Sequence, residues 1–273
     1  MSADSTAMYW VDAFTEELFG GNPAAVVVLE SAWEAERMQA VAREHGLSET
    51  AFLQRPKDAG ADDPWQLRWF TPAVEVELCG HATLSSAFVI FEELMGSSVA
   101  PSDTIRFATA SGELEVRRHP AGLEMRLPRR ESPECAAPDH LIEALGAPVV
   151  GIFGGHMYLI ELENEAAVVN LRPKFSGLRG LDRDGVIVTA AADSPGLDFV
   201  SRYFVPDAGI DEDPVTGSAH CQLVPFWAER LGKTQLEAAQ RSKRGGRLRG
   251  ELHETHVAVV GRCRLYARAR LCL

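Results

Sequence analysis

The sequence predicts a mixed α/β protein built as two similar halves. Three observations carry that expectation. Arg68-Trp69-Phe70-Thr71-Pro72 reappears as Arg202-Tyr203-Phe204-Val205-Pro206. A glycine step follows each copy, Gly80-His81-Ala82 and Gly217-Ser218-Ala219, about half the chain apart. Each step leads into a helix-like stretch that closes on a glycine, Gly96 in the first half and Gly232 in the second, as helix C-termini often do. A repeat this long is not a solenoid unit. It implies a duplicated domain with pseudo-twofold symmetry, expected as residues 1–128 and 129–273, with terminal strands free to cross over.

The elements follow in order. Tyr9 to Phe14 and Ala24 to Leu29 read as strands joined across Gly20-Gly21-Asn22-Pro23. Ser31-Ala32-Trp33-Glu34 has the form of a capping box. The helix it opens is expected to run to about His45 and stop at Gly46. Ala51 to Leu53 looks extended, and the polar stretch Gln54 to Pro64 reads as a hairpin loop. Glu113 to Arg118 and Leu123 to Leu127 flank His119-Pro120-Ala121-Gly122 as a hairpin. The Pro-rich stretch Pro128 to Pro138 suits a linker. A short helix, Asp139 to Leu145, should stop at Gly146. Met157 to Glu161 and Gly185 to Thr189 read as strands, and His256 to Leu271 as two strands around Gly261-Arg262.

Composition narrows the class. Apolar residues make up 46% of the 273 and charged residues 24%, which allows a sizeable core. The net charge of -12 repels phosphate backbones, so a nucleic-acid partner is not expected. The basic segment Arg241-Ser242-Lys243-Arg244-Gly245-Gly246-Arg247 reads as a solvated turn before a strand. Five scattered cysteines without a C-x-x-C pair argue against a disulfide framework or structural zinc. No apolar stretch reaches membrane-spanning length. Met1 to Thr6 lacks the basic start of a signal peptide, so a cytoplasmic location and no membrane partner are expected.

The candidate chemistry gathers at the two glycine steps. A glycine ahead of a helix leaves backbone N–H groups pointing outward at the positive end of the dipole. Two such helix starts, at Gly80 and Gly217, would suit an anion such as a substrate carboxylate. Proton transfer at carbon needs a base and an acid, and His81 and Asp213 stand beside the two steps. Glu49 interrupts the apolar run Leu47-Ser48-Glu49-Thr50-Ala51-Phe52-Leu53. Buried, its charged form would be desolvated toward the range of a useful base; exposed, it would be an ordinary carboxylate at a strand start. Both readings stay open. Cys79 could serve as a thiol acid or base, but no cysteine occupies the matching place at the second step. His253-Glu254-Thr255-His256 lacks the H-E-x-x-H spacing and reads as a polar turn. There is no phosphate loop, dinucleotide fingerprint or serine nucleophile elbow.

Asp12-Ala13-Phe14, Gly21-Asn22-Pro23-Ala24-Ala25-Val26, Leu47-Ser48-Glu49-Thr50-Ala51-Phe52, Leu78-Cys79-Gly80-His81-Ala82-Thr83 and Asp213-Pro214-Val215-Thr216-Gly217-Ser218-Ala219-His220 stand together in one order. In that order they resemble the PhzF-like phenazine-biosynthesis family from about residue 9 to 260. The resemblance implies an α+β, diaminopimelate-epimerase-like fold. Each half is then a mostly antiparallel β-sheet wrapped around a central helix, with the active site between the halves. The best-known member isomerises trans-2,3-dihydro-3-hydroxyanthranilate by moving a proton, without metal or organic cofactor. Its catalytic glutamate is matched by Glu49, and its supporting histidine, aspartate and serine by His81, Asp213 and Ser218. Related epimerases use two cysteines, of which only Cys79 has a match here.

The expected function is therefore a cofactor-independent isomerase acting on a small carboxylated metabolite, with no metal. Glu49 would take a proton from carbon, and His81 and Asp213 would relay or return it. Ser218 and the amides near Gly80 and Gly217 would hold the carboxylate or a developing oxyanion. The alternatives are an epimerase or racemase of an amino-acid-like substrate, and a non-catalytic binding member of the family. A homodimer is expected by family analogy.

Overall fold

β-Branched and apolar runs of five to ten residues dominate the chain, and the computed structural model pairs them within two units. It describes residues 5–60, 63–95 and 104–273. One unit is the chain up to Arg126 together with Val260–Leu273, and the other is Leu127–Val259.

In the first unit, β1 (Ser5–Ala13) and β2 (Asn22–Leu29) pair antiparallel. Helix α1 (Ala35–His45) crosses over to β3 (Glu49–Gln54), which lies parallel to β2. β4 (Trp65–Phe70) returns antiparallel to β3, and the short β5 (Glu75–Val76) folds back on β4. Helix α2 (Gly80–Val89), continued by a π-helical turn at Ile90–Leu94, precedes β6 (Thr104–Thr109), which is parallel to β4. β7 (Gly112–His119) and β8 (Gly122–Pro128) follow as hairpins.

The second unit repeats this order. After α3 (Asp139–Leu145), β9 (Val149–Gly154) pairs antiparallel with β10 (Tyr158–Leu162). Helix α4 (Glu165–Asn170) and a 3-10 turn cross to β11 (Val186–Ala191), parallel to β10. β12 (Phe199–Val205) returns antiparallel, and β13 (Ile210–Asp213) folds back on it. Helix α5 (His220–Leu231) precedes β14 (Gln235–Gln240), which is parallel to β12 and antiparallel to β15 (Gly246–Leu252). β16 (His256–Gly261) and β17 (Cys263–Cys272) close the chain, and β17 returns to the first unit to pair antiparallel with β1. The two copies of the Arg-aromatic-Phe motif occupy β4 and β12, the same position in each succession. The sheets are mixed but mostly antiparallel, as the fold class expected.

Helix α2 packs against β1, β2, β3, β7 and β17. It is buried nearly all round, from His81 through Ala87, as a helix enclosed by its own sheet must be. Two of its interior hydroxyls bond along the helix: Thr83 Oγ1 donates to Cys79 O at 2.6 Å and Ser86 Oγ to Ala82 O at 2.8 Å. Helix α5 is equally buried and carries Pro225 inside it. Proline offers no N–H to the carbonyl four residues back. That carbonyl, Cys221 O, instead accepts from Arg130 N at 3.1 Å and so ties the Pro128–Pro138 segment to the helix. A second apolar cluster lies under α1, where Met38, Val41 and Ala42 meet Met8, Val27, Phe52 and Phe70. Each large side chain removed from water there contributes about 1.5–3 kcal/mol.

Helix ends follow the glycines: Gly46, Gly146 and Gly232 each cap a helix in the left-handed conformation. Gly96 lies outside the described residues. Two helix starts differ from expectation. Ser31 does not cap α1, which begins at Ala35 after an extended Glu34 with no side-chain cap bond. Trp33 is held instead by packing on Phe52 and under Arg37, so the chain stays extended through the presumed box. Gly217 does not open α5 directly: Gly217, Ser218 and Ala219 form a turn, with Gly217 O and Ser218 O accepting from the amides three residues on. Gly80, by contrast, is the first residue of α2.

The basic segment is a turn before β15, and Arg241 is held by Glu165 and by Ser194 Oγ. His253 and His256 stack at 4.4 Å between ring centroids across the turn before β16. Among the described residues no helix is long and apolar enough to cross a membrane.

Candidate active site

In the first unit the site is built from the β1–β2 turn upward. Gly21 adopts φ 64°, and a Cβ there would sit 2.1 Å from Ala13 O, so this turn needs glycine twice over. Asp12 Oδ2 accepts from Phe19 N at 3.3 Å and holds the same turn. The turn delivers Asn22, wholly buried, to the head of β2. The parallel β2–β3 register pairs Ala24 with Glu49, so Glu49 lies at the same end of the sheet. Ser48, just before it, donates to Asn22 Oδ1 at 3.3 Å.

His81 stands in the first turn of α2 and is buried. Its Nδ1 lies 3.1 Å from Asn22 Nδ2 and 3.5 Å from Cys79 Sγ, and its Nε2 lies 3.3 Å from Glu49 Oε2. Burial pushes the His81 pKa down to about 3. The ring is therefore neutral at physiological pH, and the contact with Glu49 is imidazole to carboxylate rather than an ion pair. Glu49 keeps 18% of its side chain exposed, which leaves it reachable from solvent. Its setting is thus neither of the two extremes the sequence left open. Cys79 precedes Gly80 in an extended conformation and makes no side-chain cap bond to α2.

Donor atoms of Glu49, Cys79 and His81 all lie within 4.8 Å of one another. Carboxylate, thiolate and imidazole are zinc ligands by type. Such binding would require deprotonating Cys79 and turning a ring nitrogen lone pair toward the ion.

In the second unit Asp213 ends β13 and is largely buried. Thr216 Oγ1 donates to its Oδ2. Gln240, at the end of β14, clamps the segment from three sides. Its Nε2 donates to Asp213 O at 2.8 Å and Thr216 Oγ1 at 3.2 Å, and its Oε1 accepts from Thr216 N at 2.9 Å. His220, the first residue of α5, has its Nδ1 2.8 Å from Thr216 O, and a carbonyl there requires Nδ1–H. Burial pushes its pKa down to about 4, so it too is neutral. Ser218 is half-buried in the turn that follows Gly217.

The structure thus gathers Glu49, Cys79 and His81 in the first unit, and places Asp213, Gly217 and Ser218 on one short segment of the second. Sequence reasoning gave no role to Asn22, Ser48 or Gln240. Asn22 carried a readable signal, an amide between a glycine and a proline at the head of an apolar strand. Gln240 carried a weaker one, as a polar end to the strand Gln235–Gln240.

The fold is that of the epimerase-like proteins. A hydroxyproline epimerase of Agrobacterium vitis shares the fold at TM-score 0.67, with 8% identity over 98% of this chain and 93% of its own. The family model for phenazine biosynthesis-like proteins, PhzC-PhzF, matches residues 11–267, and the chain belongs to that family. An uncharacterized isomerase of Pseudomonas aeruginosa is 46% identical over 266 residues, 97% of this chain and 98% of its own. The crystal structure of a PhzF-family protein of Enterococcus faecalis superposes at TM-score 0.91, with 42% identity over 98% of this chain and all of that one. The chain is an enzyme of the isomerase class.

Proposed function

We propose that this isomerase moves a proton within a small carboxylated metabolite by general acid/base catalysis, without a cofactor. A trans-2,3-dihydro-3-hydroxyanthranilate-like compound is the substrate the family resemblance favours. The observation that carries the reading is the partly exposed Glu49 carboxylate 3.3 Å from a buried, neutral His81. A neutral imidazole beside a carboxylate does not clamp it as a cation would, which suits a general base. Glu49 takes the proton from carbon and His81 orients it. Asp213 and Ser218 are assigned supporting proton-transfer and anion-holding roles on the family resemblance. The first-turn amides at Gly80, uncapped by Cys79, suit the substrate carboxylate, and those near Gly217 are given the same task. No electron acceptor is needed, because a proton shift leaves the oxidation level of the molecule unchanged. A cytoplasmic homodimer completes the reading, and light scattering at the monomer mass would refute the dimer.

The test is substrate-dependent deuterium uptake. A panel of small carboxylates, including dihydro-hydroxyanthranilates and amino acids, is incubated with enzyme in D2O and read by NMR. Uptake at one carbon, with a product of unchanged mass in H2O, supports the reading. Failure of the whole panel to exchange would count against it. The 3.5 Å contact between Cys79 and His81 keeps an epimerase reading alive. Inactivation by alkylation of Cys79, with protection by substrate, would favour that second reading.

A further inference from the structure

We propose that Ser48 and Asn22 form a positioning relay that fixes which nitrogen of His81 carries the proton, so that an Nε2–H faces Glu49. A side-chain amide has two unlike ends, and Asn22 turns Nδ2 to His81 Nδ1 at 3.1 Å while its Oδ1 accepts from the Ser48 hydroxyl at 3.3 Å, which anchors the amide in that orientation. An amide nitrogen can only donate, so Nδ1 must accept. The neutral ring has a single N–H, which is then on Nε2, 3.3 Å from Glu49 Oε2. In the Cys79 contact, 3.5 Å from the same Nδ1, the thiol S–H is likewise the donor.

The tautomer matters because the two alternatives present opposite faces to the carboxylate. With Nε2–H, the ring turns the positive end of its dipole to the Glu49 side, 3.3 Å from Oε2 though not in hydrogen-bond alignment, and this favours the ionised carboxylate. With Nδ1–H, Glu49 would meet a lone pair, which disfavours the ionised form of the base. Asn22 is wholly buried and Ser48 bonds Asn22 through its side chain, so both act through His81. The backbone supports the relay. Gly21 sets the turn that presents Asn22, and the β2–β3 pairing brings Ser48 beside it. The expected effect on rate rests on the reading of Glu49 as the base; the tautomer itself does not.

The experiment uses whole protein labelled with 15N-histidine and long-range proton–nitrogen correlation, with His81→Gln to assign the signal. The expected wild-type result is an unprotonated Nδ1 and a protonated Nε2. Ser48→Ala should mix or reverse the tautomers, and Ser48→Thr, which keeps the hydroxyl, should restore them. Asn22→Asp should reverse them outright, because a carboxylate accepts from Nδ1–H. On the substrate found in D2O, Ser48→Ala should lower kcat roughly five- to tenfold with KM changed by less than about twofold, the loss of one hydrogen bond's influence. A wild-type proton on Nδ1, or an unchanged tautomer in Ser48→Ala, would overturn the relay. A reversed tautomer with normal turnover would uphold the relay and count instead against Glu49 as the base. Because Ser48 is only partly buried, its alanine variant keeps the test open if the buried Asn22→Asp does not fold.

Discussion

The two units share one succession of strands and differ in what they do with it. Arg68 on β4 and Arg202 on β12 share two kinds of contact. Each forms a fork to a carboxylate on the next short strand, Glu75 at 2.6 and 2.8 Å and Glu212 at 2.7 and 2.9 Å. Each also stacks over the phenylalanine two residues on. Yet the first pair is exposed, with side chains 39% and 37% accessible, while Arg202 is 8% accessible. Arg202 also donates to Leu171 O at 2.7 Å and Val168 O at 3.3 Å, securing the end of α4. The central helices diverge in the same manner. Each places a buried neutral histidine in its first turn, but His81 faces a carboxylate and His220 a carbonyl. The two successions share a scaffold, and local burial separates an exposed repeated arginine from one that secures a helix end.

The largest expected effect separates the two arginines. Arg202→Met leaves Glu212 and two carbonyls without their donor in a buried setting, and should cost about 3–5 kcal/mol of stability. Arg68→Met removes a solvent-exposed pair, worth at most about 1 kcal/mol. Urea unfolding of both variants checks this. Equal losses would show that burial does not govern the difference.

Next comes the asymmetry in chemistry. Glu49→Gln keeps shape and hydrogen-bonding capacity but removes basicity. It should lose at least about a hundredfold in kcat, roughly 2.7 kcal/mol of barrier, while still binding substrate. Asp213→Asn should lose less, because Thr216 and Gln240 hold that segment whether or not the residue is charged. Single-turnover rates with binding followed by calorimetry decide between them. Near-normal turnover in Glu49→Gln would move the base to Cys79 or Asp213.

The third comparison concerns the paired histidines. Both have folded pKa values below the ordinary 6.5, about 3 for His81 and about 4 for His220, because burial excludes the cation. As pH falls below 6.5 the unfolded chain takes up protons that the folded chain refuses. Stability is thus full above that pH and is lost on acidification, by about 1.4 kcal/mol per pH unit for each histidine. The half-buried His45, also lowered by burial, adds in the same direction. Unfolding free energies between pH 7 and 5 should fall with this slope. His220→Gln and His81→Gln should each reduce the slope by a similar amount. A slope unchanged in either variant would mean that its histidine is protonated when folded.

What the sequence disclosed follows the range of the interactions involved. The helix Asp139–Leu145 and the stops at Gly46, Gly146 and Gly232 were legible, because a terminal glycine acts on its own neighbours. The duplication was legible because its motifs sit at equivalent strand positions. The Ser31 capping box was misread because packing of Trp33 on Phe52, a distant strand residue, overrides the local pattern. The Ser48–Asn22–His81 chain was invisible for the same reason: its members come together only through the β2–β3 pairing and the placement of α2. Glu49 was named by motif, but its partial exposure could come only from tertiary structure.

The smallest effect tests how the two central helices end their regular hydrogen bonding. Helix α2 loosens at its C-terminal end, where Met95 N reaches back five residues to Ile90 O at 2.9 Å. Helix α5 is interrupted inside, at Pro225, and then closes tightly, with Gly232 N and Lys233 N both bonding to Ala228 O. Pro225→Ala supplies an N–H that competes for Cys221 O, the acceptor now used by Arg130 N. Alanine favours the helix by its propensity, but the Pro128–Pro138 segment then loses one tie. The two changes oppose each other, so global stability should move by no more than about 1 kcal/mol. The local signature should be larger than the global one. Hydrogen exchange at the Arg130 amide should accelerate while the amides of α5 become better protected. If Arg130 keeps its protection, its bond does not depend on the carbonyl that proline leaves free, and the contrast between the two helices would rest on α2 alone.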